Sequence, residues 1–234
     1  MTIQPSILQP TLQQRIGSIL NSIQSQQVVQ EVTLVGVSKT QPASSIEEAF
    51  NAGVSHFGEN YLQETLAKQS MLTHLPIIWH FIGPIQSNKT QQIAQHFDWV
   101  DSVDREKIAQ RLSEARVLHG KSPLSVCIQV NISHEESKSG VDEEELENLA
   151  QFISQCKGLI LRGLMAIPDP SLNTDALRVQ FKKMKYWFDQ LQRKYSSLDT
   201  LSMGMSHDYL LAIQEGATQV RIGTGIFGVR EKLK

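Results

Sequence analysis

The sequence predicts an α/β fold, a single (β/α)8 barrel with an extra helix at its N-terminus. Three observations carry that prediction. Eight short apolar runs alternate with amphipathic stretches at a spacing of about 25 residues, as eight strand–helix units require. No Gly-x-Gly-x-x-Gly word follows the first strand-like run, so the rival open doubly wound sheet lacks its dinucleotide fingerprint. No Pro-, Gly- or Ser-rich linker and no internal repeat divides the 234 residues, so one domain is the economical arrangement.

Taken in order, a leading helix is expected over 9–27, with Pro10 in its first turn, where a missing N–H does no harm. Residues 1–30 then form a helical extension packed on the barrel, and 31–234 form the barrel. Strands are expected at 33–38, 54–57, 77–82, 99–103, 124–132, 159–167, 200–203 and 219–223. Between them, Leu146, Leu149, Ala150 and Ile153 recur at helical spacing, as one buried face should. Leu177, Phe181, Met184, Phe188 and Leu191 do the same for a longer helix. Acidic residues from Asp142 to Glu145 suit a helix start, where the dipole favours negative charge.

Composition narrows the function. The chain is 40% hydrophobic and 20% charged with a net charge of -2, which offers no general attraction to nucleic acid or anionic membranes. No run approaches the roughly 18 apolar residues of a membrane span. The N-terminus lacks the charged start and apolar core of a signal peptide. Two cysteines, Cys127 and Cys156, fit a reducing compartment and supply neither a disulfide framework nor a four-ligand zinc site. A cytoplasmic protein is expected.

In such barrels function collects at the C-terminal ends of the strands. The first strand reads Thr33-Leu34-Val35-Gly36-Val37-Ser38-Lys39, and alternation puts Val35, Val37 and Lys39 on one face. A lysine closing an apolar strand is partly desolvated, which frees its amine for a Schiff base; the plainer alternative is a lysine reaching out to solvent. Asn60, after Phe57-Gly58-Glu59, either contacts a ligand or caps the next helix. His80, in Trp79-His80-Phe81-Ile82-Gly83, is either an interior histidine or a ligand contact, and no His or Cys at metal-ligand spacing pairs with it. The loop 133–140, including Lys138, reads as a solvated connection or a cover.

The last strands carry the strongest pattern. In Val220-Arg221-Ile222 the two apolar residues share one face, so Arg221 points inward if they pack on helices, and outward if the strand end is exposed. Inside, it stays charged and needs fixed acceptors. Ser206, in Ser202-Met203-Gly204-Met205-Ser206, is placed to cap the helix carrying Leu210, Leu211 and Ile213, a helix start that also suits phosphate. Gly223-Thr224-Gly225 supplies the second half of a phosphate cradle, since barrels frequently hold phosphate between loops seven and eight. Amine, interior Arg and cradle together match pyridoxal 5′-phosphate (PLP): aldehyde, ring nitrogen and phosphate. An Arg does not give up its proton, so the ring would be a weaker electron sink than one paired with Asp.

These words resemble the pyridoxal phosphate homeostasis protein family: Val37-Ser38-Lys39, Phe57-Gly58-Glu59-Asn60-Tyr61, the run from Trp79 to Lys89, Val130-Asn131-Ile132, Lys138-Ser139-Gly140, the run from Leu201 to Ser206, and the run from Arg221 to Gly228. The likeness extends over about 34–228. It implies a fold-type III barrel like the N-terminal domain of alanine racemase, with PLP held as a covalent aldimine on Lys39. It further implies Arg221 at the pyridine nitrogen, Ser206, Gly223 and Thr224 at the phosphate, Asn60 near the ring, and His80 and Met203 along the pocket. Members of the family are regarded as cytosolic proteins that buffer or deliver the cofactor and influence vitamin B6 and amino-acid balance, with no established reaction.

Two other functions compete. An amino-acid racemase needs a second acid/base opposite Lys39, supplied in alanine racemase by a tyrosine across a dimer with an added β domain. Here the sequence ends at Lys234, soon after the eighth strand, and Tyr61 and Tyr209 fall on expected helices. A Schiff-base aldolase would use Lys39 and the cradle but leave Arg221 unassigned. The expectation is a monomeric carrier without robust catalysis, whose partners are PLP and either PLP-dependent apoenzymes or a regulatory protein, with no nucleic acid, membrane or metal.

Overall fold

The computed structural model describes residues 9–133 and 139–228. Eight parallel strands close into a barrel in chain order. They are β1 (Thr33–Val37), β2 (His56–Glu59), β3 (Ile78–Phe81), β4 (Trp99–Val103), β5 (Leu124–Val130), β6 (Leu159–Ala166), β7 (Thr200–Ser202) and β8 (Gln219–Ile222). Helix α1 (Leu12–Gln24) precedes them. Between strands lie α2 (Ala43–Asn51), α3 (Leu62–Met71), α4 (Thr90–His96), α5 (Glu106–Leu118), α6 (Glu143–Ser154), α7 (Thr174–Gln192) and α8 (Tyr209–Gln214); α9 (Thr224–Phe227) follows β8.

Each expected strand is present, and the shifts at the edges have local causes. Helix α1 starts later than expected, because Thr11 is its N-cap: the hydroxyl accepts from Gln14 N–H while the Gln14 side chain accepts from Thr11 N–H. Pro10 therefore lies outside the helix rather than in its first turn. Val54, expected in the second strand, instead closes the end of α2, its N–H donating to Ala49 O just after the left-handed Gly53. Strand β5 stops at Val130 because Asn131 N–H turns aside to Val141 O.

The outward strand residues and the helices enclose the apolar core. Leu146, Leu149, Ala150 and Ile153 are all buried on α6, as their spacing requires. On α7, Phe181, Met184, Phe188 and Leu191 are buried, Trp187 joins them and Leu177 is only partly covered. Val220 and Ile222 are fully buried, so Arg221 takes the inner face of β8. The barrel interior is unusually polar: His80, Asp101, Ser202, Gln219 and Arg221 are all buried there and hydrogen-bonded to one another in sequence.

Candidate functional site

Arg221 is 3% exposed, and its acceptors are neutral. Nη1–H donates to Ser202 Oγ at 2.6 Å and Nη2–H to Ala166 O at 2.9 Å. Burial pushes the guanidinium's pKa down, opposed by Asp101 and then Asp208, but such a group stays protonated. Its remaining N–H groups, Nε among them, have no acceptor among the described residues. A buried cation with spare donors is costly unless a ligand completes it.

On the adjacent strand, Val35 stands in register with Arg221, and β1 ends two residues below Lys39. Lys39 is half-buried in a turn closed by Gln41 N–H donating to Ser38 O at 3.0 Å. That turn is clamped. Ser38 Oγ donates to Glu59 Oε1 at 2.7 Å, and Lys68 Nζ reaches Ser38 O at 2.9 Å, Glu59 Oε1 at 2.7 Å and Glu64 Oε1 at 2.5 Å. Glu64 Oε1 also accepts from Thr40 N–H. Thr40 has φ 66, a left-handed conformation that a β-branched residue adopts only under constraint. Burial raises the Glu59 carboxyl pKa, against the pull of Lys68 and Ser38.

Across the mouth, Ser206 Oγ lies 3.0 Å from Thr224 Oγ1 and accepts from Gly225 N–H at 3.1 Å. The structure corrects the assignment of Ser206 as a helix cap: α8 begins at Tyr209 with Asp208 as its N-cap, and Asp208 Oδ1 instead accepts from Met205 N–H. Ser206 faces the start of α9 because Gly204, at φ 95, turns the chain back toward β8 and accepts Arg221 N–H through its carbonyl. A Cβ at Gly225 would come 2.9 Å from Ile222 Cγ2, so the cradle requires glycine. Gly223 packs beside Val37, at the end of β1. Helix α1 backs this cluster, with Arg15 Nε–H donating to Ile226 O at 2.6 Å. A cavity of about 300 Å³ lies between them, lined by Arg15, Ile19, Ser206, Tyr209 and Gly225.

The other predicted residues divide. Asn60 does not cap α3: Tyr61 is its N-cap position, and Asn60 Oδ1 is buried without a partner among the described residues. An orphaned buried acceptor beside the mouth fits a ligand contact. His80 is an interior histidine, fully buried, with Nδ1 3.0 Å from Asp101 Oδ1 and Nε2 2.9 Å from His56 Nδ1. Its histidine neighbour comes from parallel pairing of β2 with β3, which sequence spacing did not anticipate. Met203 is buried one residue beyond β7, and the β7 residue that meets Arg221 is Ser202. Residues 134–138 of the loop 133–140, Lys138 with them, lie outside the described residues. Among the described residues no His/Cys/Asp/Glu cluster is arranged to hold a metal ion, and no helix is long and apolar enough to cross a membrane.

The sequence reading missed Ser202, Gln219, Asp101 and the Glu59–Lys68–Glu64 clamp. Alternation along β7 and β8 would have pointed Ser202 and Gln219 inward with Arg221, and Glu64 and Lys68 stand four apart on a helix.

Fold and mouth define the class first: a (β/α)8 barrel of the alanine racemase N-terminal-domain type, whose family pattern matches residues 20–231. The likeness to full alanine racemases is one of fold alone; that of Clostridium difficile 630 aligns with a TM-score of 0.74 at 12% identity, over 94% of this chain and 61% of that one. Closer relatives decide the rest. The pyridoxal phosphate homeostasis protein of Pseudomonas aeruginosa is 56% identical over 86% of this chain and 85% of its own. That of Pasteurella multocida is 46% identical with both chains fully covered. PipY of Synechococcus elongatus, solved with PLP bound, aligns with a TM-score of 0.84 at 38% identity, over 93% of this chain and 100% of that one. The chain belongs to the pyridoxal phosphate homeostasis protein family.

Proposed function

We propose that this protein binds PLP at the barrel mouth and holds it for use elsewhere, as part of intracellular vitamin B6 and amino-acid homeostasis. The observation that carries this reading is Arg221, an interior cation with unfilled donors on the strand beside Lys39. The residues fit the cofactor in three further respects: the orphaned Asn60 Oδ1, the glycine-requiring cradle, and the partly desolvated amine. Lys39 attaches the aldehyde covalently; Ser206, Thr224 and the amides from Gly223 onward take the phosphate; Arg221 faces the ring nitrogen. His80 and Met203 stand behind that first layer, His80 through its hydrogen bonds and Met203 through packing. When bound, PLP supplies an electrophilic aldehyde and an electron-withdrawing ring. Arg221 does not hand a proton to that ring, so withdrawal is weak, which suits keeping the cofactor more than using it. The protein acts as a cytoplasmic monomer that passes PLP to apoenzymes.

The test is visible absorbance. Wild-type protein with added PLP develops a band that persists through gel filtration, and Lys39→Ala loses it completely. A band of equal intensity in Lys39→Ala would sink the covalent assignment, and no band in the wild type would sink the cofactor reading. Racemisation of single L-amino acids, followed by chiral chromatography, tests the alternative of an alanine racemase-type enzyme; robust turnover would overturn the carrier reading.

A further inference from the structure

The opposite end of the barrel holds a cavity of about 680 Å³. Thr33, His56, Trp99, Thr200 and Gln219, each the first residue of its strand, line it, so it opens on the N-terminal face. Its cations are already matched. The Arg162 guanidinium lies 4.8 Å over the Trp99 ring and meets Asp199 with two of its nitrogens, while Lys185 Nζ reaches both carboxylate oxygens of Asp189. The amides of Gln30 and Gln192 donate to Ile213 O and Leu198 O, which leaves their carbonyl oxygens as acceptors. Glu31 is exposed and joins no ion pair among the described residues.

His56 completes this set. Asp101 only accepts, so His80 Nδ1–H donates to it, and the His56–His80 contact is assigned with His56 Nδ1–H donating to His80 Nε2. His56 Nε2 is left as a lone-pair acceptor with no partner among the described residues. Burial, with His80 next, holds the His56 pKa down at about 4, which keeps that lone pair available at neutral pH. The acceptors left without partners in this lining are therefore His56 Nε2 and the Gln30 and Gln192 carbonyls, joined by the Glu31 carboxylate, against an apolar wall that includes Phe188.

From these observations we propose that the N-terminal cavity is a second binding site, for a small aliphatic organic ammonium held by His56 Nε2 and Glu31. The site is wired to the mouth. From His56 the buried chain runs through His80 to Asp101, whose Oδ2 accepts from Gln219 Nε2 at 2.6 Å. Gln219 reaches Ser202 Oγ at 2.8 Å, and Ser202 Oγ accepts from Arg221 at 2.6 Å. An ammonium donating to His56 Nε2 makes each imidazole N–H a stronger donor toward Asp101. The Asp101 charge is drawn toward His80, Arg221 is less compensated from below, and its spare donors bind a ligand at the mouth more tightly. This coupling rests on the PLP reading; the second site itself does not.

Isothermal titration with N,N,N′,N′-tetramethyl-1,4-butanediamine tests both parts, because a tertiary amine cannot condense with PLP. Wild-type protein binds it and ignores butane-1,4-diol. Glu31→Gln weakens binding about tenfold, the scale of one lost charged hydrogen bond, and His56→Phe abolishes it. Glu31 is exposed, so that variant keeps the test open if His56→Phe fails to fold. No binding in the wild type, or unchanged affinity in Glu31→Gln, overturns the site. With PLP loaded, diamine affinity rises about fivefold, at the low end of site-to-site coupling, and Ser202→Ala erases that rise. Equal affinity with and without PLP in wild-type protein overturns the wiring and leaves the site standing. Protein that takes up no PLP defeats the cofactor reading, while the diamine titration still decides the second site.

Discussion

The two sides of the barrel mouth are built on opposite plans. On the lysine side, the turn carrying Lys39 is clamped by Ser38, Glu59, Glu64 and Lys68, with Lys68 satisfied by three oxygens. On the cradle side, among the described residues, Ser206 and Thr224 meet only each other and one amide, and Arg221 keeps unfilled donors. The first side is held by its own ion pairs and hydrogen bonds, with Glu59 Oε2 alone of the clamp left without a partner among the described residues, whereas the second keeps donors that the proposed ligand would fill. A covalent bond to Lys39 needs a fixed position for its nitrogen, because small misplacements are expensive in reaction rate. A phosphate brings its own charge and acceptors, so its cradle needs only donors within reach.

The contrast predicts different costs for mutation. The largest is at Lys68→Met, which strands Glu59 in the interior; we expect about 3 kcal/mol of lost stability at pH 7 by urea unfolding. Glu59 has its pKa raised in the folded state above the ordinary 4.5, so folding binds a proton between those values and stability falls as pH rises through that window. Removing Lys68 raises the folded pKa further, so the deficit of Lys68→Met shrinks as pH is lowered toward 4.5. A deficit below ~0.5 kcal/mol, or one that grows in acid, would mean the clamp is not electrostatic.

Ser206→Ala reverses the pattern. On the proposal that its hydroxyl holds the phosphate, stability changes by less than ~0.5 kcal/mol while PLP affinity drops about tenfold. A loss confined to stability would make the two sides alike. The smallest effect is at Thr40→Gly. Glycine occupies φ 66 without the Cβ penalty, and we expect a change of about 1 kcal/mol or less in stability, partly offset by the freer unfolded chain. The informative readout is the rate at which PLP condenses with the protein, which should slow if the strained turn positions Lys39.

Much of this molecule is legible along the chain, and the illegible parts share a cause. The bounds of β4 agree with its apolar run, and strand parity placed Arg221 inward once Val220 and Ile222 proved buried. Ser206 is expected from the sequence to cap α8, and the structure gives it Thr224 and the Gly225 amide instead. Helix capping and tertiary contact use the same donor–acceptor chemistry, and Asp208 two residues on took the cap position. The chain His56–His80–Asp101–Gln219–Ser202–Arg221 spans partners as far as 118 residues apart, between Gln219 and Asp101.

By itself the sequence determined the strand–helix alternation, the faces of the amphipathic helices, and the set of residues at the ends of β1, β7 and β8. Those follow from periodicity and turn chemistry, which are local. Only the closed barrel decided which polar groups satisfy each other inside it, and so which donors of Arg221 and which nitrogen of His56 are left over. Register between parallel strands is set by packing of the whole sheet, and a hydrogen bond inside it is a property of two segments that no single segment contains.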